Sequence, residues 1–284
     1  MGGGISQPMG EHLSSPDPTL QKTPPNSGGS VGNSETFYSR HVHGEYFPVE
    51  TLVPARERYD GIVRTILHRA RRRPSQSLLE IGAENTSNSD FLIRELGLDR
   101  SQYVVADISQ PIIDSMLVAG LRAIRLDISE DCIPFGDASF DVIILSEVLE
   151  HLVNPDHALR EFRRVLRTPD SILVGTTPNL CSWFNRILLL LGKQPVFTET
   201  GTEWNFGRSP LFPKSRPVGH LRILTSQSVC ELLQYHGYEG VEVKGMAFPS
   251  NIQLPRTVRG IDRVFSIAPN LAAEVLFSAK RGEL

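Results

Sequence analysis

The heptapeptide SEVLEHL, residues 146–152, gathers Glu147, Glu150 and His151 at i, i+3 and i+4. On a helical turn that spacing puts all three on one face. Two carboxylates and an imidazole so placed can hold a divalent cation. The imidazole alone can serve as a general base near neutral pH. A second set of polar groups sits where apolar runs end. Glu80 and Gly82 lie in LLEIG, Asp107 closes YVVAD, Asp127 closes AIRLD, and Ser146 and Glu147 close FDVIILS. An acid at the end of a strand can accept both hydroxyls of a ribose in charge-assisted hydrogen bonds.

Those runs define the elements that must position the groups. LLEIG, YVVAD (103–107), AIRLD (123–127), FDVIILS (140–146) and SILVGTT (171–177) read as strands. Helical patterns alternate with them. Tyr59, Ile62, Val63, Ile66 and Leu67 form one helix face in a segment from about residue 54 to Pro74. Phe91, Leu92 and Leu96 precede Gly97, and Ile112, Ile113, Met116 and Leu117 precede Gly120. Asn154 and Pro155 give an N-cap followed by proline at the first helical position. Behind them Ala158, Leu159, Phe162, Val165 and Leu166 make an apolar stripe. Thr225 caps a helix bearing Val229, Leu232 and Leu233. GVEVKG (240–245) and AAEVLFSAK (272–280) close the sheet. The alternation predicts an α/β fold, doubly wound around a mostly parallel sheet. In such sheets ligands sit at the carboxyl ends of the strands.

Composition narrows the partners. A net charge of −3 over 284 residues gives no basic surface for non-specific nucleic-acid binding. Arg69, Arg71, Arg72 and Arg73 form the one basic run and suit a helix C-terminus. Three scattered cysteines, Cys132, Cys181 and Cys230, show neither zinc spacing nor a disulfide framework. A reducing, cytoplasmic setting is expected. No apolar run reaches the roughly 20 residues of a membrane span, and contact at a membrane surface stays open. Residues 1 to about 36 are rich in Gly, Ser, Pro and Asn. A disordered tail over residues 1–40 is expected, with one folded domain over 41–284. MGGGIS, with Gly2 and Ser6, formally matches an acylation pattern, but a flexible tail whose glycines fit it by chance is the expected reading.

The ordered blocks LLEIG, YVVADIS, AIRLDIS, IPFGDASFDVIILSEVLEHL and SILVGTTPN together resemble the class I S-adenosylmethionine-dependent methyltransferases, in the type 11/12 group. The resemblance spans about residues 55–280 and implies a seven-stranded Rossmann-like methyltransferase fold. It implies S-adenosylmethionine as cofactor. Glu80 and Gly82 would face its methionine part, Asp107 the ribose, and Ile108, Asp127 and Ile128 the adenine. Ser146 and Glu147 would line it at the fourth strand. The family's loop reads acid-x-Gly-x-Gly-x-Gly. Here Glu84 and Thr86 replace the later glycines.

E-x-x-E-H also resembles the metal site of ubiquinone-biosynthesis O-methyltransferases and small-RNA ribose methyltransferases. Those families bring in a further histidine downstream. His220 stands at a comparable place, which makes Glu147, Glu150, His151 and His220 the candidate metal ligands. His151, His220 and Glu147 are the candidate catalytic groups. An insertion at about 180–222 would form a cap over the acceptor. There Trp183, Phe184, Ile187, Leu188 and Leu191 are expected on one apolar helix face. The expected function is O-, C- or N-methylation of a small molecule that is lipid-linked, sugar or quinone-like. A non-catalytic homologue with an altered loop and a nucleotide-dependent oxidoreductase are the alternatives. Oligomeric state is open.

Overall fold

A computed structural model describes Met1 and residues 56–70, 76–210, 216–250 and 254–283. All of the expected tail (1–40) except Met1, with Gly2, and Arg71–Arg73 and Pro74, lie outside the described residues. The first described helix, α1 (Arg56–Arg69), precedes β1 (Leu78–Ile81), α2 (Thr86–Leu96), β2 (Tyr103–Asp107), α3 (Gln110–Val118), β3 (Arg122–Arg125) and β4 (Val142–Ser146). Then come α4 (Pro155–Val165), β5 (Ile172–Pro178), α5 (Trp183–Leu190), α6 (Ser226–Tyr235), β6 (Glu239–Met246), α7 (Arg256–Phe265) and β7 (Glu274–Lys280).

The seven strands form one sheet in the order β3-β2-β1-β4-β5-β7-β6. Strands β1 to β5 pair in parallel, and β7 runs antiparallel to both β5 and β6. This is the expected doubly wound, mostly parallel sheet. Strand alternation sends Leu79, Ile81, Ile143, Leu145 and Leu173 into a core with the α4 stripe and with Val229 and Leu233 of α6. Leu78, Val105, Val142, Ile144 and Val174 face the opposite way, against α1, α2 and α3. Phe162 is fully buried; a side chain of this kind stabilises the fold by about 1.5–3 kcal/mol.

Local signals worked at several ends. Asn154 caps α4 through its side chain, which accepts from the His157 N–H. Thr225 does the same for α6. Helix α2 starts at Thr86, five residues before Phe91, because Asn85 accepts the Asn88 N–H and caps it there. Strand β3 ends at Arg125, so Asp127 lies two residues beyond it. Arg69 does more than suit a helix end. Its guanidinium donates to Ser278 and to the Gly240 carbonyl, tying α1 to the antiparallel edge. Helix α7 was not foreseen. Its apolar residues do not mark a buried face, since Asp262 is the buried one. Among the described residues no helix is long and apolar enough to cross a membrane.

Gly175 shows how tightly the centre is packed. A Cβ there would stand 2.2 Å from the Leu145 carbonyl oxygen and 2.6 Å from the Phe277 ring. Gly175→Ala is therefore expected to destabilise the chain by about 1–3 kcal/mol or more, read as a lowered Tm in a thermal melt. A Tm within a degree or so of the native chain would refute this packing.

Candidate active site

The carboxyl ends of β1, β2 and β4 meet where the polar groups gather. Gly82 follows β1 with φ +72, and a Cβ would lie 2.4 Å from the Val148 side chain. Both facts require glycine at this turn. Asp107 ends β2, is buried, and accepts the Ser109 N–H at 2.7 Å. Burial pushes its carboxyl up to about 7, against the Ser109 hydrogen bond. Ile108 beside it is half-buried. Asp127 accepts the Ser129 N–H at 3.0 Å, and Ile128 is buried. Ser146 is buried within 3.3 Å of the Thr176 hydroxyl.

Glu80 points into the α1–α3 side of the sheet. Its Oε2 accepts from Tyr103 at 2.5 Å and Ser89 at 2.7 Å, while Oε1 has no partner. Burial raises its pKa to about 7 in spite of those two hydrogen bonds. Tyr59 Oη, Asn88 Oδ1, Ser109 Oγ, Glu147 Oε1 and Glu150 Oε1 are likewise buried without a partner. These six atoms belong to residues of β1, of the segments that follow β2 and β4, and of α1 and α2, which pack on those strands. Buried polar groups ordinarily have partners, so this concentration marks a polar ligand site. The residues present therefore fit a cofactor with ribose hydroxyls and an amino-acid end.

Glu147 has φ +55, uncommon for a residue with a Cβ. Ser146 ends β4, and the EVLEHL that follows turns without forming a helix. Glu147, Glu150 and His151 thus do not share the expected face, because the left-handed residue swings Glu147 away. Its Oε2 lies 3.1 Å from Arg58 instead. Arg58 also binds Glu274 through two bonds of 2.9 and 2.6 Å and stands 3.8 Å from Glu84. Burial disfavours the Arg58 charge, but Glu147, Glu274 and Glu84 more than offset it and raise its pKa. Burial raises the pKa of Glu147 and of Glu84, with Arg58 opposing.

Glu150, His151 and His220 form a separate trio. One ligand atom from each lies within 4.8 Å of the others. Glu150 is fully buried, with Oε2 accepting from Thr177 at 3.0 Å. Burial lifts its carboxyl to about 7. His151 Nδ1 lies 3.0 Å from the Gly219 carbonyl and His220 Nδ1 2.7 Å from the Phe197 carbonyl. A carbonyl only accepts, so each Nδ1 carries a proton, and in the neutral ring the lone pair is on Nε2. The rings lie 4.8 Å apart. Burial lowers the His220 pKa. The insertion itself builds the trio, for Leu221 and Arg222 both donate to the Glu150 carbonyl.

The cap helix splits differently from expectation. Phe184 and Leu188 are buried with Val196, Phe248 and Ala273, whereas Ile187 and Leu191 are exposed. Phe248 was not singled out by sequence, nor were Arg58 and Glu274. Arg58 looks like any surface arginine in RERYDGIV. Glu274 gave a usable signal, since a lone acid in an apolar strand needs a buried cation.

A family model of the methyltransferase domain matches residues 55–243. The chain belongs to that methyltransferase family. The ubiquinone/menaquinone biosynthesis C-methyltransferase UbiE of Shewanella frigidimarina is 31% identical over 112 residues, 36% of this chain and 43% of that protein. The methyltransferase thus spans less than half the length of such curated relatives. A SAM-dependent methyltransferase of Thermotoga maritima superposes with a TM-score of 0.53 at 14% identity, over 87% of this chain and 99% of that one. The 1,6-didemethyltoxoflavin-N1-methyltransferase of Burkholderia thailandensis gives 0.51 at 17% identity, covering 88% of each chain. These structures share the Rossmann-like fold of S-adenosylmethionine-dependent methyltransferases.

Glu80 yields a pH signature. An acid whose folded pKa is raised from 4.5 to about 7 contributes stability below pH 4.5 that is lost as pH rises to 7. Glu80→Gln keeps an oxygen for Tyr103 and Ser89 but cannot ionise. The variant's Tm relative to the native chain is expected to rise between pH 5 and pH 8. A difference that stays flat with pH would show that Glu80 ionises as it does in water.

Proposed function

We propose that the chain transfers a methyl group from S-adenosylmethionine to a small, apolar, ring-bearing acceptor. The observation that carries this reading is the cluster of unpartnered buried polar atoms at the ends of β1, β2 and β4, beside Asp107. The cofactor, when bound, supplies a methyl group already activated on a sulfonium. The protein's task is then alignment and exclusion of water. Asp107 would accept the ribose hydroxyls, with Ile108, Asp127 and Ile128 around the adenine. Gly82 lets the backbone approach closely, and Glu80 and Ser146 would serve the methionine side.

His151 and His220 are the favoured bases. In each neutral ring the carbonyl at Nδ1 would put the basic lone pair on Nε2. Either can take the proton an acceptor hydroxyl or amine sheds as it is methylated. Glu147 has one oxygen on Arg58 and is the weaker third candidate. The aromatic residues support a ring-bearing acceptor. Phe184 and Phe248 lie 6.2 Å apart, Phe248 and Phe197 5.9 Å, and Phe197 and His220 6.3 Å. That line leads from the cap to the histidine pair. UbiE, by its name, methylates carbon in quinone biosynthesis, which is compatible with such an acceptor class.

The trio also supports a second reading, a divalent cation. Two imidazole nitrogens and the unpartnered Glu150 Oε1 are a donor set suited to zinc or manganese. Both histidines have the carbonyl partners that orient metal-bound imidazoles. A cation there would polarise acceptor oxygens; Glu147, held by Arg58, would not ligate it.

Calorimetry with S-adenosylhomocysteine tests the cofactor reading. The native chain is expected to bind and Asp107→Ala to lose at least about tenfold in affinity; unchanged affinity would remove Asp107 from the ribose. Methyl transfer from labelled cofactor to a panel of phenols, quinols and sugars tests the acceptor class. Zinc, manganese and magnesium titrations of the native chain and Glu150→Gln separate base from metal. Tight binding lost in Glu150→Gln supports the cation; full transfer in chelator leaves the histidines as bases.

A further inference from the structure

Two short helices beside the site present apolar side chains to solvent. On α5, Ile187, Leu190 and Leu191 stand at i, i+3 and i+4, with Leu190 87% and Leu191 67% exposed. On α7 and just past it, Ile261, Val264 and Ile267 recur every third residue, with Val264 66% and Ile267 82% exposed. The two stripes are joined. Trp183 of α5 stacks on Phe265 of α7 at 5.4 Å and 23°, and its indole N–H donates to Asp262. A contiguous apolar patch of this kind marks an interaction surface, unlike single scattered residues.

The segments that bear the two stripes carry mostly cations. From Asn179 to Thr198 the chain carries Arg186 and Lys193 and no acid. From Leu254 to Ala273 it carries Arg256, Arg259 and Arg263 against Asp262 alone. Asp262 is buried and spent on Trp183 and on the Phe248 N–H. The two segments that bear the stripes thus carry five cations on a chain of net charge −3, with Arg186 and Arg263 exposed and Arg259 turned to the Phe248 carbonyl. We infer that the α5–α7 face docks on an anionic lipid surface. Apolar side chains flanked by cations are what the boundary of an anionic bilayer accommodates. A second copy of the chain is disfavoured, because a two-fold contact would set one cationic patch against its equal.

The position gives the docking a use. Helix α5 follows β5 and α7 precedes β7, and Pro178 pairs with Glu274 where those strands meet. Glu274 in turn holds Arg58 at the active site. The docked face therefore lies at the site's own edge of the sheet. Taken together with the proposed ring-bearing acceptor, on which this one consequence rests, it would let a membrane-dissolved acceptor enter beneath the cap.

The test is vesicle co-sedimentation of the full chain, which needs no acceptor and no turnover. Binding is expected to phosphatidylcholine vesicles containing phosphatidylserine, to weaken with added salt, and to be weak on phosphatidylcholine alone. Leu190→Glu and Val264→Glu are each expected to lower affinity roughly tenfold or more. Arg186→Glu with Arg263→Glu should erase the preference for phosphatidylserine. All four positions are exposed, and an unchanged thermal melt confirms that each variant folds. Failure of the native chain to bind either vesicle overturns the inference. So does a stable dimer in analytical ultracentrifugation that Leu190→Glu splits. If vesicle binding holds but S-adenosylhomocysteine does not bind, the docking surface survives and the methyltransferase reading falls.

Discussion

One buried guanidinium holds the active-site edge together. Arg58 reaches from α1 to Glu274 at the start of β7, to Glu147 at the end of β4 and to Glu84 in the loop after β1. Three stretches of chain that are distant in sequence are fixed relative to one another by that single cation. Burying an ion pair gives little net stability, because desolvation cancels much of the attraction. Removing one partner is a different matter, since it strands the others in low dielectric. The arrangement is therefore better understood as setting geometry than as adding stability. It also explains the left-handed backbone at Glu147. The strain of a positive φ is tolerated where the surroundings impose it, and here the Glu147 amide is held by the Thr176 carbonyl and its carboxylate by Arg58.

The fold was largely legible because the signals were local and repeated. The strands of the parallel sheet read as apolar runs ending at polar groups, and every helix but α7 carried its own cap or stripe. Gly82 and Asp107 were readable for the same reason: strand ends in a parallel sheet converge by topology, so their neighbours need not be known. Glu147, Glu150 and His151 were read through a period instead, and the period misled. Whether i, i+3 and i+4 share a face depends on one backbone angle at Glu147, which side-chain types do not reveal. Arg58 was illegible because its partners come from β4, β7 and the first loop. Helix α7 was hidden by inversion, with its acid inside and its isoleucine and valine outside.

The trio and the cap are linked in the same way. Glu150 and His151 follow β4, but His220 arrives at the end of a long insertion, pinned when Leu221 and Arg222 donate to the Glu150 carbonyl. The Glu199 carboxylate accepts the Val218 and Gly219 N–H groups, shaping the turn just before His220. A segment without clear periodicity is thus ordered by side chain–backbone bonds rather than by helix or strand. Such segments look like loops in sequence, yet they can place a side chain as firmly as a helix does.

The altered glycine loop gains a physical sense from these contacts. Thr86 is the first residue of α2, directly after the Asn85 cap, so this replacement falls at the helix start. Glu84 adds a third carboxylate around one arginine. Burial raises its pKa and that of Glu147, so the site holds acids that one cation does not fully compensate. A ligand bearing its own positive charges would relieve this imbalance by Coulomb attraction in a poorly solvated pocket. S-adenosylmethionine carries a sulfonium and an ammonium. On the proposed cofactor reading, a loop with fewer glycines and one more acid would shift part of the recognition from backbone approach to charge.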